Sequence, residues 1–492
     1  MSHFTNQWSR RKFIKRFGAT ATGLTLASCA ARSGNRPQVL TPAAQAMDQV
    51  VDPGTLEKSN LTIGYVPVND CAPFAIAAEK GFFHKYGLNV TLNREASWAT
   101  SRDGIIFGRL DASPVVSGAV TNARTGAEGA RQAPLCAAMT IHRHGNAMTM
   151  NQAMWDNGVR PWQEYNGDLD AFGQDFRRHF SNLPPNRRVW AVVLSSAIYE
   201  YFIRYLSAAA GIDPLNEFRI IITPPPQMVS NIRIGAMEGY MVAEPWNTRA
   251  ISGNEGVGFT FAQGREIWRG HPDRVLGVME SFIAENPKTY RSLVMAMIEA
   301  CRYCGNPANR EEVAKIITGV SYTAAKPRTC QAPPAITPDN IGSLPDCITK
   351  FTGPAILGNY NYGGFDDKAR LVEAPDETTI FFNVPSTVST VPNDHSTFMW
   401  QSQSLWLMTQ AARWGQLPEF PQNAEELARS AWRTDLYREI AGEMGIECPA
   451  DDYKVEPPEA FIDNIGFDPS DPIGYLNRFE IRANRPTRIY LS

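Results

Sequence analysis

The first clear pattern of apolar and polar positions begins at Leu61. The stretch LTIGYVPV alternates between apolar and polar residues, FAIAAEKGFFHKYG has apolar residues at helical spacing, and LNVTLNREA alternates again. A strand, a helix and a second strand at this spacing predict a βαβ unit, in which the two strands lie parallel in one sheet. The folded part of the chain therefore begins as an α/β protein.

The succession of strands and helices continues along the chain. Strands are predicted at PLCAAMTIHRHGNAMTM, with a break at Gly145, and at RVWAVVLSS, EFRIIITPPP and EGYMVAEPW. Helices are predicted at SWATSRDGIIFGRL, AIYEYFIRYLSAAAG and QMVSNIRIGAM. After a loop-rich insertion over residues 322–392, helices return at FMWQSQSLWLMTQAARWG and ELARSAWRTDLYREIAGEMG. The pattern indicates an α/β core followed by a helix-rich C-terminal extension.

The N-terminus has the pattern of an export leader over residues 1–28. Its stretch SRRKFIK resembles the twin-arginine signal, and the apolar run that follows is too short and too interrupted to span a bilayer. The next residues, LASC, resemble a bacterial lipobox, in which Cys29 is lipidated and becomes the mature N-terminus. We therefore expect a lipid-anchored protein on the periplasmic face of the inner membrane. A basic N-terminal helix with a buried cysteine is the alternative.

Removal of the leader changes the charge balance. The chain has 47 Lys and Arg against 50 Asp and Glu, and the leader contains five of the basic residues and no acidic residue. The mature chain therefore has a net charge near −8, which argues against nucleic acid as a partner and against broad electrostatic binding to membranes. Residues 29–58 lack a periodic apolar pattern and indicate a flexible tether.

Several motifs, in one order along the chain, resemble a known family. They are REASWATSRD, IRYLSAAAGI, PPPQMVSNIRIGAMEGYMVAEPWNTR, EIWRGHP, LWLMTQAARWGQLPEF and FDPSDPIGYLNRFEI. Together with GYVPVNDCAPFAIAAEKGFFHKYGLNV, they resemble the solute-binding lipoproteins of ABC importers for nitrate, nitrite, cyanate or bicarbonate. The similarity extends from Leu61 to Ile481. Each motif alone is weak, and the specificity comes from their shared order.

The resemblance implies a two-lobed periplasmic-binding-protein fold of type II, with parallel-sheet lobes and crossover helices. We expect the leader and tether to be followed by lobe 1 (59–147), lobe 2 (148–242) and a return to lobe 1 (243–492) that includes the insertion. The two lobes would close on a small ligand, with helix N-termini facing the cleft from both sides.

The same resemblance implies ligand contacts at Trp98, His144 and Tyr199. Trp98 matches a tryptophan of the family's pocket wall, and Ser97 and Thr100 are expected to cap the helix that begins there. His144 stands where the family usually has a ligand-contacting glutamine, and Tyr199 where nitrate and bicarbonate binders typically have a histidine. A tyrosine can donate one hydrogen bond but supplies no positive charge at neutral pH.

Charged residues complete the expected site. Glu244 ends a strand, where α/β folds place ligands, and would orient a basic group or accept from a protonated ligand. Arg269 matches a family position that often holds lysine, and its planar guanidinium suits a trigonal oxyanion. No cofactor is required, but His142 and Glu266 are expected to hold calcium or zinc if a metal is bound with the anion. For all of these residues, a place in the core or on a solvated face is the alternative.

The expected function is therefore binding without catalysis. A monomer would capture nitrate, nitrite, bicarbonate or cyanate and deliver it to an ABC permease with its ATPase subunits. The sequence has no GxSxG, P-loop or HExxH motif, and no GxGxxG follows a strand. Three alternatives stay open: a metal-binding or metal-assisted module built on His142, His144, Glu244 and Glu266, an exported enzyme that uses a cofactor, and a ligand sensor.

Overall fold

The structure is a computed structural model that describes residues 48–483, except for 67, 196, 253–255 and 318–352. The predicted leader, Cys29 and most of the tether lie outside the described residues, as does the first part of the insertion. The rest of the insertion is described from Gly353 onward.

The strands alternate with helices in the first half of the chain and become sparse in the second. In chain order they are β1 (Asn60–Tyr65), β2 (Asn89–Arg94), β3 (Ser113–Val116), β4 (Leu135–Cys136), β5 (Thr140–His144), β6 (Asn146–Asn151), β7 (Val189–Val192), β8 (Arg219–Ile222), β9 (Gly239–Ala243), β10 (Gly258–Gln263), β11 (Pro272–Met279), β12 (Asn359–Asn361), β13 (Leu371–Glu373) and β14 (Thr379–Ile380). The predicted break in the HRHGNAM strand is confirmed, because Gly145 separates β5 from β6.

The helices surround these strands and form the C-terminal extension. In chain order they are α1 (Ala72–Glu79), α2 (Phe82–Lys85), α3 (Trp98–Ile106), α4 (Ala119–Thr125), α5 (Gln152–Asp156), α6 (Leu169–Ser181), α7 (Ile198–Ala209), α8 (Pro225–Arg233), α9 (Trp246–Ser252), α10 (Gly264–Ile267), α11 (Glu280–Glu285), α12 (Pro287–Gly305), α13 (Arg310–Ile317), α14 (Gly353–Leu357), α15 (Gln401–Arg413), α16 (Ala424–Ala431), α17 (Thr434–Glu443) and α18 (Pro472–Asn477). No helix among the described residues is both long and apolar enough to cross a membrane.

Lobe 1 is built on a sheet with the strand order β14-β5-β11-β3, and β4 adds beside β11. β1 and β2 pair in parallel with α1 between them in sequence, which confirms the predicted βαβ unit. A bridge between Ile63 and Ala112 joins β1 to the chain just before β3. The βαβ unit therefore extends the sheet of lobe 1. It is also the part of the fold that the pattern of apolar and polar residues predicted most directly.

Lobe 2 is built on a sheet with the strand order β10-β6-β9-β7-β8. β7 runs parallel to β8 and β9, whereas β6 runs antiparallel to β9 and β10. The expected two-lobed α/β architecture is confirmed, but the sheets are mixed. β6 and β11, the first strands after the chain changes lobes, run against the direction of β9 in lobe 2 and of β3 in lobe 1. β10 also belongs to this sheet, although it lies beyond residue 242, the expected end of lobe 2.

The chain passes between the two sheets at two crossings. The first crossing (residues 144–146) joins β5 to β6, and the second crossing (residues 263–272) joins β10 to β11 through α10. Gly145 has a φ of +77°, and a Cβ there would lie 2.9 Å from His142 Nε2, so this position requires glycine. The Glu244 N–H donates to the carbonyl of Gly145 at 3.0 Å, which places the end of β9 against the first crossing.

The hydrophobic core continues from one lobe to the other. One cluster of buried residues contains Trp98 of lobe 1, Tyr199 of lobe 2, Trp268 of the second crossing and Trp406 of α15. A second cluster packs α1 and α12 against the sheet of lobe 1. All residues of α15 are buried. The C-terminal extension therefore forms part of the core that joins the lobes.

Candidate ligand-binding site

The candidate site is centred on Arg274, a fully buried residue of β11. Its Nε lies 2.6 Å from Asp70 Oδ2, and its Nη1 lies 3.1 Å from Asp273 Oδ2. Asp70 belongs to the short turn before α1, so the guanidinium joins two separate segments of lobe 1. Burying three charged groups together is costly unless they compensate one another, as they do here.

Two aromatic rings, one from each lobe, contact the same guanidinium. Arg274 Cζ lies 4.1 Å from the ring centroid of Trp98 at the start of α3, and 5.3 Å from that of Tyr199 at the start of α7. Both distances are typical of cation–π contacts. The main chain adds to this junction, because the Ile198 N–H donates to the carbonyl of Ser117 at 3.4 Å. Arg274 therefore lies where the lobes meet.

A capping box positions Trp98 as the first residue of α3. Ser97 Oγ accepts from the Thr100 N–H and Thr100 Oγ1 accepts from the Ser97 N–H, both at 3.1 Å, which confirms the predicted cap. Trp98 is 1% exposed, and its indole N–H has no hydrogen-bond partner in the described chain. A buried donor without an acceptor costs about 1–3 kcal/mol. An acceptor supplied by a ligand would remove that cost.

Asn146 connects the site to the first crossing. Its Nδ2 donates to Asp273 Oδ1 at 2.9 Å and to His271 Nε2 at 2.8 Å. His271 Nδ1 lies 2.7 Å from the carbonyl of Trp268, so the ring donates from Nδ1 and accepts at Nε2. Burial lowers the pKa of His271 to about 3, which is consistent with this neutral form.

Burial also changes the protonation of the charged groups. It raises the pKa of Asp70 to about 7, although Arg274 acts to lower it. It raises the pKa of Asp273 as well, again against the effect of Arg274. For Arg274, burial acts to lower the pKa, but Asp273 and Asp70 raise it by more, and the guanidinium stays charged. With both carboxylates ionised, these three groups have one negative charge in excess.

His142 lies beside these carboxylates. Its Nε2 is 3.4 Å from Asp273 Oδ2, and the ligand atoms of Asp70, His142 and Asp273 all lie within 4.8 Å of one another. Burial lowers the pKa of His142, so its imidazole is neutral and can coordinate a metal. Glu266 is not part of this group. Its carboxylate accepts from the N–H of Gln263 at 2.7 Å, because it closes the capping box of α10.

His144 has both ring nitrogens occupied by the main chain. Its Nδ1 lies 2.6 Å from the carbonyl of Glu377, and its Nε2 accepts from the N–H of Gly270 at 2.7 Å. The ring must therefore carry its proton on Nδ1. His144 also has a left-handed φ of 65°, so the extended backbone of β5 ends at this residue. The ring contacts His271 at a centroid distance of 5.1 Å and does not join His142 in one site.

Glu244 is buried at the end of β9, outside the group around Arg274. Its Oε1 accepts from the hydroxyl of Tyr360 at 2.6 Å, and its Oε2 accepts from the N–H of Thr248 at 3.1 Å. Burial raises the pKa of this carboxyl group, against the effect of the Tyr360 hydrogen bond. Within the described residues, the carboxylate therefore accepts from neutral donors and orients no basic group.

Arg269 lies at the surface of the molecule. It is exposed, and its Nη1 donates to the carbonyl of Thr387 at 3.5 Å. The residue precedes the start of β11 at Pro272, so the side-chain alternation of the buried strand does not yet apply to it. The structure therefore brings Trp98 and Tyr199 together with Arg274, and the expected convergence with Arg269 is not observed.

The sequence reasoning missed Arg274, Asp273, Asp70 and Asn146. One signal could have found two of them, because Asp273 and Arg274 interrupt a stretch, PDRVLGVM, that otherwise reads as a buried strand. Adjacent opposite charges in such a strand must be paired inside the protein. No comparable signal identifies Asp70, whose partner is remote in sequence.

Comparison with known proteins agrees with this architecture. The crystal structure of the periplasmic nitrate-binding protein NrtA from Synechocystis aligns with a TM-score of 0.70 at 25% identity, over 87% of this chain and 100% of that chain. The fold is thus that of a two-lobed periplasmic binding protein. The model of the NMT1-like family matches residues 54–318, and the chain belongs to this family.

Sequence relatives cover most of the chain. The nitrate/nitrite binding protein NrtA from Synechococcus elongatus is 28% identical over 488 residues, 97% of this chain and 99% of that protein. The bicarbonate-binding protein CmpA from a Synechococcus species is 26% identical, over 96% of this chain and 98% of that protein. The nitrate import ATP-binding protein NrtC from Synechocystis is 32% identical over 431 residues, 87% of this chain, but the match spans only 56% of NrtC.

Proposed function

We propose that this protein is the solute-binding component of an ABC importer, and that it captures a small inorganic anion such as nitrate, nitrite, bicarbonate or cyanate. The near full-length similarity to NrtA and CmpA, named for nitrate, nitrite and bicarbonate, supports this substrate class. The similarity to part of NrtC supports an ATPase and a permease as partners. Capture and release need no chemical step, and we propose no enzymatic activity.

One observation carries the proposal: a buried guanidinium contacts an aromatic ring from each lobe, and the indole N–H of one of these rings has no hydrogen-bond partner among the described residues. Arg274 supplies positive charge, and Trp98 supplies a donor that the described chain does not satisfy. A small oxyanion offers several acceptors at once, so it suits this combination. Because Tyr199 belongs to the other lobe, closing the lobes completes the site.

The charge balance of the site adds a condition to anion binding. An anion beside Arg274 also meets Asp70 and Asp273, whose combined charge exceeds that of the guanidinium. Binding is therefore favoured when Asp70 is protonated or when a cation accompanies the anion. Both routes leave the filled site close to neutral, which low-dielectric surroundings require.

Export and anchoring belong to the same proposal. The twin-arginine pattern and the lipobox support transport across the inner membrane and attachment through a lipid on Cys29. A monomer held in this way keeps both lobes available to the permease. Mass spectrometry of the membrane fraction tests the anchor, because the Cys29→Ser variant should lose the lipid and leave the membrane.

Metal-assisted binding is a second candidate, favoured by the group of Asp70, His142 and Asp273. Two carboxylates and a neutral imidazole fit calcium through oxygen or zinc through mixed ligands. A bound divalent ion would supply the positive charge that the carboxylates otherwise remove. Elemental analysis of the purified protein tests this candidate, and His142→Ala should abolish the metal content.

Isothermal titration calorimetry of the leaderless protein tests the main proposal. Each of the four anions is titrated in buffer with EDTA, and then with calcium or zinc in place of EDTA. We expect saturable binding of at least one anion, weakened about fivefold or more by Trp98→Phe, which removes one hydrogen bond. Trp190→Phe is the matched control, because that buried indole N–H also has no partner in the part of the chain that the structure describes, but it belongs to β7. Absence of binding for all four anions under all conditions would contradict the proposal.

A further inference from the structure

The described part of the insertion crosses from one lobe to the other. We name residues 359–380 the strap. It begins with the β12–β13 hairpin, whose strands pair in antiparallel register, and ends with β14. Nothing in the expected site or in the binding proposal uses this segment, so its contacts call for a separate explanation.

The hairpin of the strap binds lobe 2. The carbonyl of Tyr362 accepts from the Thr260 N–H of β10 at 2.8 Å, and the Tyr360 hydroxyl lies 3.2 Å from Thr260 Oγ1. Arg370 Nε lies 2.5 Å from Glu164 Oε1. Tyr360 and Tyr362 are buried in these contacts, with 1% and 0% of their surfaces exposed.

The other end of the strap binds lobe 1 at the first crossing. β14 pairs with β5, where Thr379 is opposite His144, and the carbonyl of Thr378 accepts from the Gly145 N–H at 2.9 Å. A Cβ at Gly145 would lie 3.1 Å from Thr379 Oγ1. The strap therefore packs directly on the residues where the chain changes lobes.

The strap also binds the second crossing and the end of β9. The Tyr362 hydroxyl donates to Glu266 Oε2 of α10 at 2.8 Å, and the Tyr360 hydroxyl donates to Glu244 Oε1 at 2.6 Å. Glu377 Oε2 accepts from Arg265 Nη1 at 2.7 Å. One segment thus contacts both lobes and both crossings.

A series of hydrogen bonds links the strap to the candidate site. The carbonyl of Glu377 accepts from His144, whose other nitrogen accepts from the Gly270 N–H. The next residue, His271, accepts from Asn146, and Asn146 donates to Asp273 beside Arg274. A displacement of the strap would therefore alter the residues that position the ligand-binding groups.

We propose that the strap holds the two lobes in the closed arrangement before ligand arrives, so that strap residues distant from Arg274 set the ligand affinity. A binding protein that is already closed spends less of its binding free energy on the conformational change. The affinity measurement rests on the proposed function, whereas the conformational measurement needs no ligand.

The structure offers a clean way to remove the hairpin. The Ala374 N–H donates to the carbonyl of Gly358 at 2.9 Å, so the two ends of residues 359–373 already lie side by side. Replacing these residues with Gly-Gly gives a two-residue hairpin connection at the same place. This variant keeps β14 and its pairing with β5.

Small-angle scattering and hydrogen exchange of the ligand-free variant test the conformational part. We expect a larger radius of gyration than in the native protein, and faster exchange of the Gly145 and Thr260 amides. Calorimetry with the anion that the native protein binds should show an affinity about five- to tenfold weaker, a coupling of the usual size. An unchanged radius and an unchanged affinity would overturn the proposal.

Tyr360→Phe keeps the ring and its packing and removes only the hydroxyl that binds Glu244. Tyr437→Phe is the matched control, because that hydroxyl is also buried but bonds Thr397 within the lobe 1 core, 2.5 Å away. We expect weaker binding and faster Gly145 exchange only in Tyr360→Phe. Equal effects in both variants, or failure of Tyr360→Phe to fold, would overturn the proposal. If the native protein binds none of the anions, the proposed function fails while scattering still decides the role of the strap.

Discussion

Asp70 and Asp273 face a guanidinium, whereas Glu244 and Glu266 face tyrosine hydroxyls and main-chain N–H groups. Burial raises the pKa of all four carboxyl groups, so the two regions share the same cost. They differ in how that cost is offset. In the first region the permanent charge of the Arg274 guanidinium offsets it, and that charge also interacts with a charged ligand. The second region uses neutral donors, which fix geometry and respond little to charge.

This difference separates the residues that recognise the ligand from the residues that hold the fold in place. The carboxylates at Arg274 can exchange a proton or a cation as an anion enters, because their balance depends on charge. The carboxylates of Glu244 and Glu266 only need their hydrogen bonds, because their donors are neutral. Variants that alter charge should therefore act strongly in the first region and weakly in the second.

Arg274→Met should have the largest effect. It leaves Asp70 and Asp273 buried without a cation, and removing one partner from a buried ion pair costs about 3–5 kcal/mol. Urea unfolding followed by circular dichroism measures this loss. The Arg274→Lys variant keeps the charge and should recover part of the stability, while its anion affinity stays low because the planar fork is lost. Native-like stability of Arg274→Met would show that the two carboxylates do not depend on Arg274 for compensation of their charge.

The pH dependence of anion affinity should follow Asp70. Its raised pKa of about 7 means that the protonated fraction falls about tenfold between pH 6 and pH 8. Because protonation removes a negative charge beside the anion, affinity should fall by about the same factor as pH rises. Asp273 and Arg274 face the same carboxyl group, and His142 is neutral throughout this range. Calorimetry in buffer with EDTA measures the profile.

Asp70→Asn provides the comparison for this profile. The amide imitates the protonated acid, so the variant should bind as the native protein does at low pH and keep that affinity at pH 8. A flat profile of the native protein would contradict a role for Asp70 protonation in anion binding. A pH dependence that persists in Asp70→Asn would show that another group binds the proton. Glu266→Gln should leave the profile unchanged, because that residue belongs to α10 and accepts from Tyr362 of the strap rather than facing Asp70.

Glu244→Gln should have a smaller effect, on stability rather than on charge. The amide oxygen can still accept from one donor, and the loss of one hydrogen bond costs about 1 kcal/mol. Thermal and urea unfolding measure it, with Asp273→Asn as the matched substitution in the charged region. A loss in Glu244→Gln as large as that in Arg274→Met would mean that the contacts of Glu244 depend on charge as well.

Local patterns in the sequence predicted the elements better than the site. The βαβ unit, the break at Gly145 and the cap at Ser97 depend on neighbouring residues, and all three are confirmed. The stretch ELARSAWRTDLYREI was predicted as one helix but forms α16 and α17, because Trp432 adopts an extended backbone without a glycine or proline to announce it. Tertiary packing decides such a break.

The charged residues of the site depend on contacts that no local pattern contains. Asp70 and Arg274 are far apart in sequence and meet only after the sheet of lobe 1 has formed. His144 has the residue type expected of a ligand contact, but its backbone turns at the first crossing and the main chain occupies both nitrogens. The family resemblance indicated Arg269, whereas the arginine that the structure places against Trp98 and Tyr199 is Arg274, five residues further along the chain.

Arg269→Met should have the smallest effect. It tests directly whether the exposed Arg269 or the buried Arg274 supplies the positive charge of the site. Arg269 and Arg274 belong to one short segment, yet Arg269 is exposed, and in the described part of the chain its guanidinium has one long hydrogen bond, to the carbonyl of Thr387. Exposed substitutions of this kind usually change the free energy of unfolding by less than about 0.5 kcal/mol. Calorimetry and urea unfolding should therefore show near-native behaviour at every pH used for Asp70→Asn. A large loss of anion affinity with unchanged stability would indicate that Arg269, and not Arg274, supplies the positive charge of the site. The buried guanidinium of Arg274 would then have only a structural role.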